Sequence, residues 1–116
     1  MARINNIPET YAEYAAENYF AEEELGDKIA EKYYNKVAEL INQFTLIEPS
    51  EFEDTNIKDD VLGGDWKGLL ELYVNKKCVD KATADELYAL FEDEIFSLGP
   101  EYGFLWDIVI ETFLQI

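Results

Sequence analysis

Histidine is absent from this 116-residue chain, cysteine occurs once, and only 9 Lys and Arg stand against 26 Asp and Glu. Without histidine the chain lacks the most common general base and the most common metal ligand. We therefore expect that the protein is not an enzyme and that it binds no metal and no cofactor. With Cys78 alone no intramolecular disulfide can form, which fits a reducing, cytoplasmic setting. No apolar stretch approaches the ~20 residues that cross a bilayer, so we expect no membrane contact.

Apolar and aromatic side chains are plentiful, at 48% and 15% of the chain. This content supplies a real core and argues against disorder, and the length suits one domain over residues 1–116. The formal net charge of −17 repels nucleic acid and anionic membranes and favours basic protein partners. Solubility alone is the simpler explanation of the same charge.

Apolar residues recur at helical spacing and strand signals are weak, which predicts an all-α bundle of about five to six helices. Asp27 and Asp65 are predicted N-caps, and Thr83 with Glu86 forms a predicted capping box. Gly99 is a predicted helix stop. The predicted helices cover Glu9–Leu25, Lys28–Phe44, a short stretch capped by Ser50 and Glu53, Trp66–Lys77, the stretch from Thr83 to about Leu98, and Glu101–Leu114.

Two groups of apolar residues receive specific expectations. The helix Lys28–Phe44 has the cleanest apolar face, on which we place Ile29, and the last helix is the most apolar and is expected at the centre. Tyr14, Tyr34 and Tyr102 fall off the cleanest apolar faces, so they are candidate binding anchors, although core packing is the more common role of such residues.

The charge is unevenly distributed along the chain. Residues 1–26 carry −5, residues 45–65 carry −6 and residues 85–116 carry −8, whereas residues 27–44 carry 0 and residues 66–84 carry +2. Three acidic segments therefore alternate with two segments in which lysines balance or exceed the acids. If the acidic segments share one side of the bundle they form an extended anionic face; otherwise each is an ordinary solvated helix surface.

The clearest row of carboxylates is Glu9, Glu13 and Glu17, at successive i, i+4 positions of the first predicted helix. Four residues of helix advance about 6 Å, a spacing of the same order as that of backbone phosphates. Like charges at this spacing cost helix stability, which hints at a use for the row. The predicted partner-binding residues are Glu9, Glu13, Glu17, Glu24, Glu51, Glu53, Asp54, Asp59, Asp60, Asp85, Glu92 and Asp93.

Motifs for chemistry are weak. The segment from Asp54 to Asp65 loosely follows an EF-hand register, but Lys58 occupies a ligand position and Asp59 replaces the required glycine. Cys78 lies near lysines but lacks the histidine that usually activates a catalytic thiol. We therefore predict no catalytic residues and no metal ligands.

By size, charge and the Glu9, Glu13 and Glu17 row, the chain resembles the small acidic DNA-mimic inhibitors of phages and mobile elements, the anti-CRISPR and anti-restriction proteins. The resemblance implies a non-catalytic protein in the cytoplasm of a bacterial host, occupying the basic nucleic-acid channel of a nuclease or guide-RNA effector complex without binding nucleic acid itself. The alternatives are an immunity protein that neutralises a basic nuclease toxin, and a helical adaptor or assembly protein with an incidentally acidic surface.

Overall fold

A computed structural model describes residues 11–17, 27–47 and 56–114 of the chain. Within these ranges the secondary structure is entirely helical, so the predicted all-α class is confirmed. The six α-helices are α1 (Tyr11–Glu17), α2 (Lys28–Ile41), α3 (Ile57–Leu62), α4 (Lys67–Asn75), α5 (Lys81–Ala89) and α6 (Gly103–Leu114). A π-helical segment (Leu90–Glu94) and two 3-10 turns (Ile95–Ser97 and Pro100–Tyr102) connect α5 to α6.

Helix α2 begins where the sequence predicts. The Asp27 carboxylate accepts hydrogen bonds from the backbone N–H groups of Ile29 and Ala30, at 2.9 and 3.1 Å, which confirms it as the N-cap. The helix ends at Ile41, three residues before the predicted Phe44. The expected burial of Ile29 is wrong: this residue is 47% exposed, because it lies in the first turn at the edge of the apolar stripe.

Helices α3 and α4 end in the same way on different residues. After α3, Gly64 has φ +99°, and the N–H of Asp65 bonds to the carbonyl of Asp60. After α4, Lys77 has φ +61°, and the N–H of Cys78 bonds to the carbonyl of Tyr73. These 6→1 bonds and left-handed residues define Schellman motifs, in which glycine is usual.

Two predicted caps are wrong. Trp66, rather than Asp65, stands at the N-cap of α4, and it makes no side-chain cap bond. Asp80, rather than Thr83, caps α5: its carboxylate accepts from the Thr83 N–H at 3.1 Å and from the Thr83 hydroxyl at 2.8 Å. A carboxylate three residues before Thr83 is the stronger acceptor, which leaves Glu86 available to another partner.

The helix predicted to run to about Leu98 instead changes form after Ala89. The segment Leu90–Glu94 widens to i→i+5 hydrogen bonding, and Ile95–Ser97 then tightens to a 3-10 turn. Gly99, at φ +118°, ends the run as predicted, and Pro100 starts the next turn. π-helical insertions of this kind re-aim the side chains that follow them.

Aromatic residues of helix α6 pack against aromatic residues from several parts of the core. Its Phe113 ring lies 4.7 Å from Phe44 and 5.1 Å from Tyr73, and its Trp106 ring lies 5.1 Å from Trp66, between ring centroids. At the other end Phe104 contacts the rings of α1. The most apolar helix therefore contacts α1, α4 and the residues that precede α4, as a central helix should.

Candidate functional site

Tyrosine hydroxyls hold two surface carboxylates in place. The Tyr33 hydroxyl donates to Glu94 Oε1 at 2.9 Å and joins α2 to the π-helical segment. The Tyr102 hydroxyl donates to Asp27 Oδ2, also at 2.9 Å, and joins the second 3-10 turn to the start of α2. Both rings are largely buried, so each hydroxyl is a fixed donor at the protein surface.

A third tyrosine, Tyr88, lies near acidic residues. Burial raises the pKa of Tyr88, and the charges of Glu92 and Asp65 raise it further. We call Asp27 and Glu94 the tyrosine-held carboxylates. Their tyrosine partners lie 75 and 61 positions away in sequence, which is why a one-dimensional charge pattern does not reveal these contacts.

Two carboxylates of α6 lie near Tyr14 of α1. The Tyr14 ring stacks on Phe104 of α6 with a centroid distance of 5.7 Å. Burial raises the pKa of Tyr14 first, and the charges of Glu111 and Asp107 raise it further. Tyr14 itself belongs to α1, so carboxylates of the last acidic segment approach the first acidic segment.

These contacts shift the pKa values of both tyrosines and of Asp27. The hydrogen bond to Glu94 raises the pKa of Tyr33, and the hydrogen bond to Asp27 raises the pKa of Tyr102. In each case, loss of the phenol proton would break the hydrogen bond to the carboxylate. The backbone N–H of Ala30, then the Tyr102 hydroxyl, lower the pKa of Asp27. A phenol holds a carboxylate without cancelling its charge, which an ammonium group cannot do.

Lysines hold a different set of acids. Lys36 Nζ lies 3.1 Å from Glu86, and Lys81 Nζ lies 2.9 Å from Asp85. The bond to Glu86 raises the pKa of Lys36, so the lysine stays charged. Both pairs are exposed ion pairs of opposite charge, and this part of α5 is locally balanced even though its sequence is acidic.

The predicted partner-binding residues divide into three groups. Glu9, Glu24, Glu51, Glu53 and Asp54 lie outside the described residues, and for Glu17 only the helical backbone is described. The remaining six are all exposed, and among them Asp85 is paired with a lysine. These six exposed residues are Glu13, Asp59, Asp60, Asp85, Glu92 and Asp93.

The candidate anchors Tyr34 and Tyr102 are not exposed. Tyr34 is fully buried and Tyr102 is 9% exposed, so the prediction that they form free aromatic anchors is wrong. Tyr34 fills the space beside Tyr14, 4.9 Å between ring centroids, and Tyr102 turns its hydroxyl toward Asp27. Sequence reasoning missed Asp27 and Glu94 as surface acids of interest, because only the fold supplies their tyrosine partners.

Two clefts lie beside these acids, and both have mixed charge. One, of about 490 Å³, runs between α2 and the π-helical segment and includes Lys32, Lys36, Glu39 and Glu94. The other, of about 250 Å³, lies between α4 and α5 with lysines and acids at its edge. Neither cleft is lined by charges of a single sign that would indicate one class of ligand.

Metal-binding groups of three or more Cys, Asp or Glu do not occur in the described ranges. Residues 57–62, inside the segment with an EF-hand register, form the helix α3 rather than a calcium loop. None of the helices described is both long and apolar enough to cross a membrane.

Comparison with known proteins identifies no relative: no family model matches the sequence, and neither the curated proteins nor the solved structures contain a similar chain.

Proposed function

We propose that this chain is a non-catalytic inhibitor that binds the basic nucleic-acid-binding surface of a nuclease or guide-RNA effector complex, as DNA-mimic proteins of the anti-CRISPR and anti-restriction type do. The observation that supports the proposal best is the set of tyrosine-held carboxylates, in which Tyr33 and Tyr102 fix Glu94 and Asp27 at 2.9 Å. These donors carry no charge of their own, so they order the carboxylates without neutralising them.

Order and charge together are what a nucleic-acid mimic requires. Immobilising a flexible, rotamer-rich side chain on binding costs about 0.5–1.5 kcal/mol. A carboxylate already fixed by a buried phenol avoids part of that cost, as phosphates on a stiff duplex do. A net charge of −17 would also steer the protein toward a Lys- and Arg-lined channel and make binding weaken with salt.

An immunity protein against a basic nuclease toxin is the second candidate, because its partner would present the same kind of surface. The two roles differ in genetic setting: a toxin nuclease gene beside this one favours immunity, and phage or defence-system genes favour counter-defence. In both roles the protein acts in the cytoplasm of a bacterial host cell. An adaptor with an incidentally acidic surface would need neither ordered carboxylates nor a nucleic-acid-binding partner.

The test is affinity capture from bacterial lysate, with the protein as bait, in parallel with and without an excess of duplex DNA or structured RNA. We expect the captured proteins to be nucleic-acid-binding enzymes that the added nucleic acid displaces, and we expect salt to elute them. Capture of acidic or metabolic proteins, or of partners that nucleic acid does not displace, would contradict the proposal.

A further inference from the structure

The 3-10 turns between the π-helical segment and α6 enclose a small aromatic pocket of about 230 Å³. We call it the Phe96 pocket; its walls include Phe96, Trp106, Tyr102, Pro100 and Gly99. Sites for drug-sized ligands usually measure about 300–1,000 Å³. The Phe96 pocket therefore suits one inserted side chain better than a whole small molecule.

Phe96 is the aromatic residue among the large apolar side chains that are exposed in the described part of the chain. It is 43% exposed, although its ring contacts Phe91 and Trp106 with centroid distances of 5.5 and 5.4 Å. The Phe96 and Trp106 rings stand at 74° to each other and form an aromatic corner at the surface. Exposed aromatic residues with a fixed geometry are typical centres of protein interfaces.

Carboxylates border the pocket. The Glu101 side chain lies over Gly99, so that a Cβ added to this glycine would meet Glu101 Oε2 at 2.9 Å. The Asp27 carboxylate bonds to the hydroxyl of Tyr102, which forms one wall. In the described part of the chain, no lysine or arginine lines the pocket.

An aromatic corner with an anionic border is complementary to a cation. We propose that the Phe96 pocket receives an arginine side chain of the partner protein, stacked on the Phe96 ring, in contact with Trp106 and paired with Glu101. Arginine fits better than lysine, because its flat guanidinium stacks on aromatic rings and is more weakly hydrated. The acidic border disfavours the phosphate of a nucleotide, and a purely apolar side chain would leave Glu101 without a partner.

This proposal rests on the proposed function for the source of the arginine, but its chemistry can be tested alone. The probe is the peptide acetyl-Gly-Arg-Gly-amide, titrated into the ¹⁵N-labelled full chain at about 0.15 M salt, where the Debye length is ~8 Å. The readout is the indole N–H signal of Trp106. Two comparison peptides replace arginine with lysine or with citrulline, which keeps the shape of arginine and lacks its charge.

We expect a saturable shift of Trp106 with the arginine peptide, weaker binding of the lysine peptide and none of the citrulline peptide. Phe96→Leu keeps an apolar contact and removes the aromatic face, so affinity should fall by about tenfold, within the range of cation–π contacts. Glu101→Gln should weaken binding several-fold. Leu62→Ala removes another exposed apolar residue, on α3, and should change nothing.

Equal binding of the citrulline or lysine peptide, or unchanged affinity in Phe96→Leu, would overturn the proposal. General attraction to a highly acidic protein would survive Phe96→Leu, so this variant separates the pocket from the net charge. Arginine binding here without a nucleic-acid-binding partner in the lysate would contradict the proposed function and leave the pocket assignment standing.

Discussion

The hydroxyl of Tyr33 donates a hydrogen bond to Glu94 at 2.9 Å, although the two residues are 61 positions apart in sequence. Glu94 is the last residue of the π-helical segment, and the extra backbone width of that segment changes the direction of the side chains after it. The hydrogen bond from Tyr33 thus fixes the carboxylate of Glu94 at the point where the π-helical segment ends.

The first prediction separates order from charge. Tyr33→Phe with Tyr102→Phe leaves the net charge unchanged. It removes the phenol donor of Glu94 and leaves Asp27 held only by its backbone donors, so affinity for the captured partner should fall several-fold. The dependence of affinity on salt should keep its slope, because no charge is lost. Titration calorimetry across a salt series measures both.

The matched control for that pair is Tyr73→Phe. The Tyr73 hydroxyl is buried and donates to the Phe113 carbonyl at 3.3 Å rather than to a carboxylate. Its removal should lower stability and leave affinity unaltered. Unchanged affinity in the Tyr33 and Tyr102 variant would mean that the bound state does not use these carboxylates in their ordered positions.

The second prediction concerns alkaline pH. The pKa of Tyr33 is raised chiefly by its bond to Glu94, that of Tyr102 by its bond to Asp27, and those of Tyr14, Tyr73 and Tyr88 chiefly by burial. A raised pKa in the folded state means that the unfolded chain loses its phenol protons first. Stability should therefore be intact below about pH 10, the ordinary tyrosine value, and decline above it.

Thermal unfolding between pH 8 and 11 measures this decline, and absorbance near 295 nm follows the phenols. In Glu94→Gln the pKa of Tyr33 should move back toward its ordinary value, because the carboxylate that demands the proton is gone. A melting temperature that stays constant to pH 11 would contradict the assignment.

Much of the fold follows from local rules, and the exceptions have identifiable causes. Asp27 caps α2 as predicted, because an N-cap depends only on residues two and three positions away. The sequence does not predict the break after Ala89, because a π-helical segment depends on tertiary packing, here of the buried Leu90 and Phe91, rather than on local preferences.

The candidate site was less accessible to sequence reasoning than the fold. The net charge of each acidic segment can be read from the sequence, but it does not distinguish Glu86 from Glu94. Glu86 is paired with Lys36, whereas Glu94 is held by Tyr33. The partner in each case comes from α2, and only tertiary packing decides which acid meets a lysine and which a phenol. Tyr102 was predicted as an exposed anchor for the same reason.

The third prediction uses the two Schellman motifs. Lys77 adopts φ +61° where Gly64 adopts φ +99° in the equivalent position. A left-handed conformation costs a non-glycine residue roughly 1–2 kcal/mol. Substitution by glycine removes this cost, but the greater conformational entropy of glycine in the unfolded chain offsets part of the gain. Lys77→Gly should raise the free energy of unfolding by about 0.5–1 kcal/mol in urea titrations, whereas Gly64→Ala should lower it.

The fourth prediction tests which residue caps α5. Asp80 accepts from the Thr83 N–H and hydroxyl, and these bonds lower its pKa. Asp80→Ala should lower the free energy of unfolding, because α5 loses its N-cap. Glu86→Ala removes an exposed ion pair with Lys36 and should lower the free energy of unfolding by less. The reverse order would restore the predicted Thr83 and Glu86 capping box.

The fifth prediction compares two pairs of acids at equal net charge. Glu92→Gln with Asp93→Asn, and Asp85→Asn with Glu86→Gln, each make the chain two units less negative, so long-range attraction should fall equally in both variants. The association rate for the captured partner should therefore drop by a similar factor. Asp85 and Glu86 already bind Lys81 and Lys36, and contact with a partner would require breaking those pairs.

The dissociation rates should accordingly differ. Loss of contacts made in the bound state raises the dissociation rate, whereas loss of general attraction changes mainly association and its salt dependence. We expect faster dissociation, by several-fold or more, for the Glu92 and Asp93 variant alone. Surface plasmon resonance at two salt concentrations separates the rates. Equal dissociation rates would mean that the partner reads the total charge of the protein and not the acids of the π-helical segment.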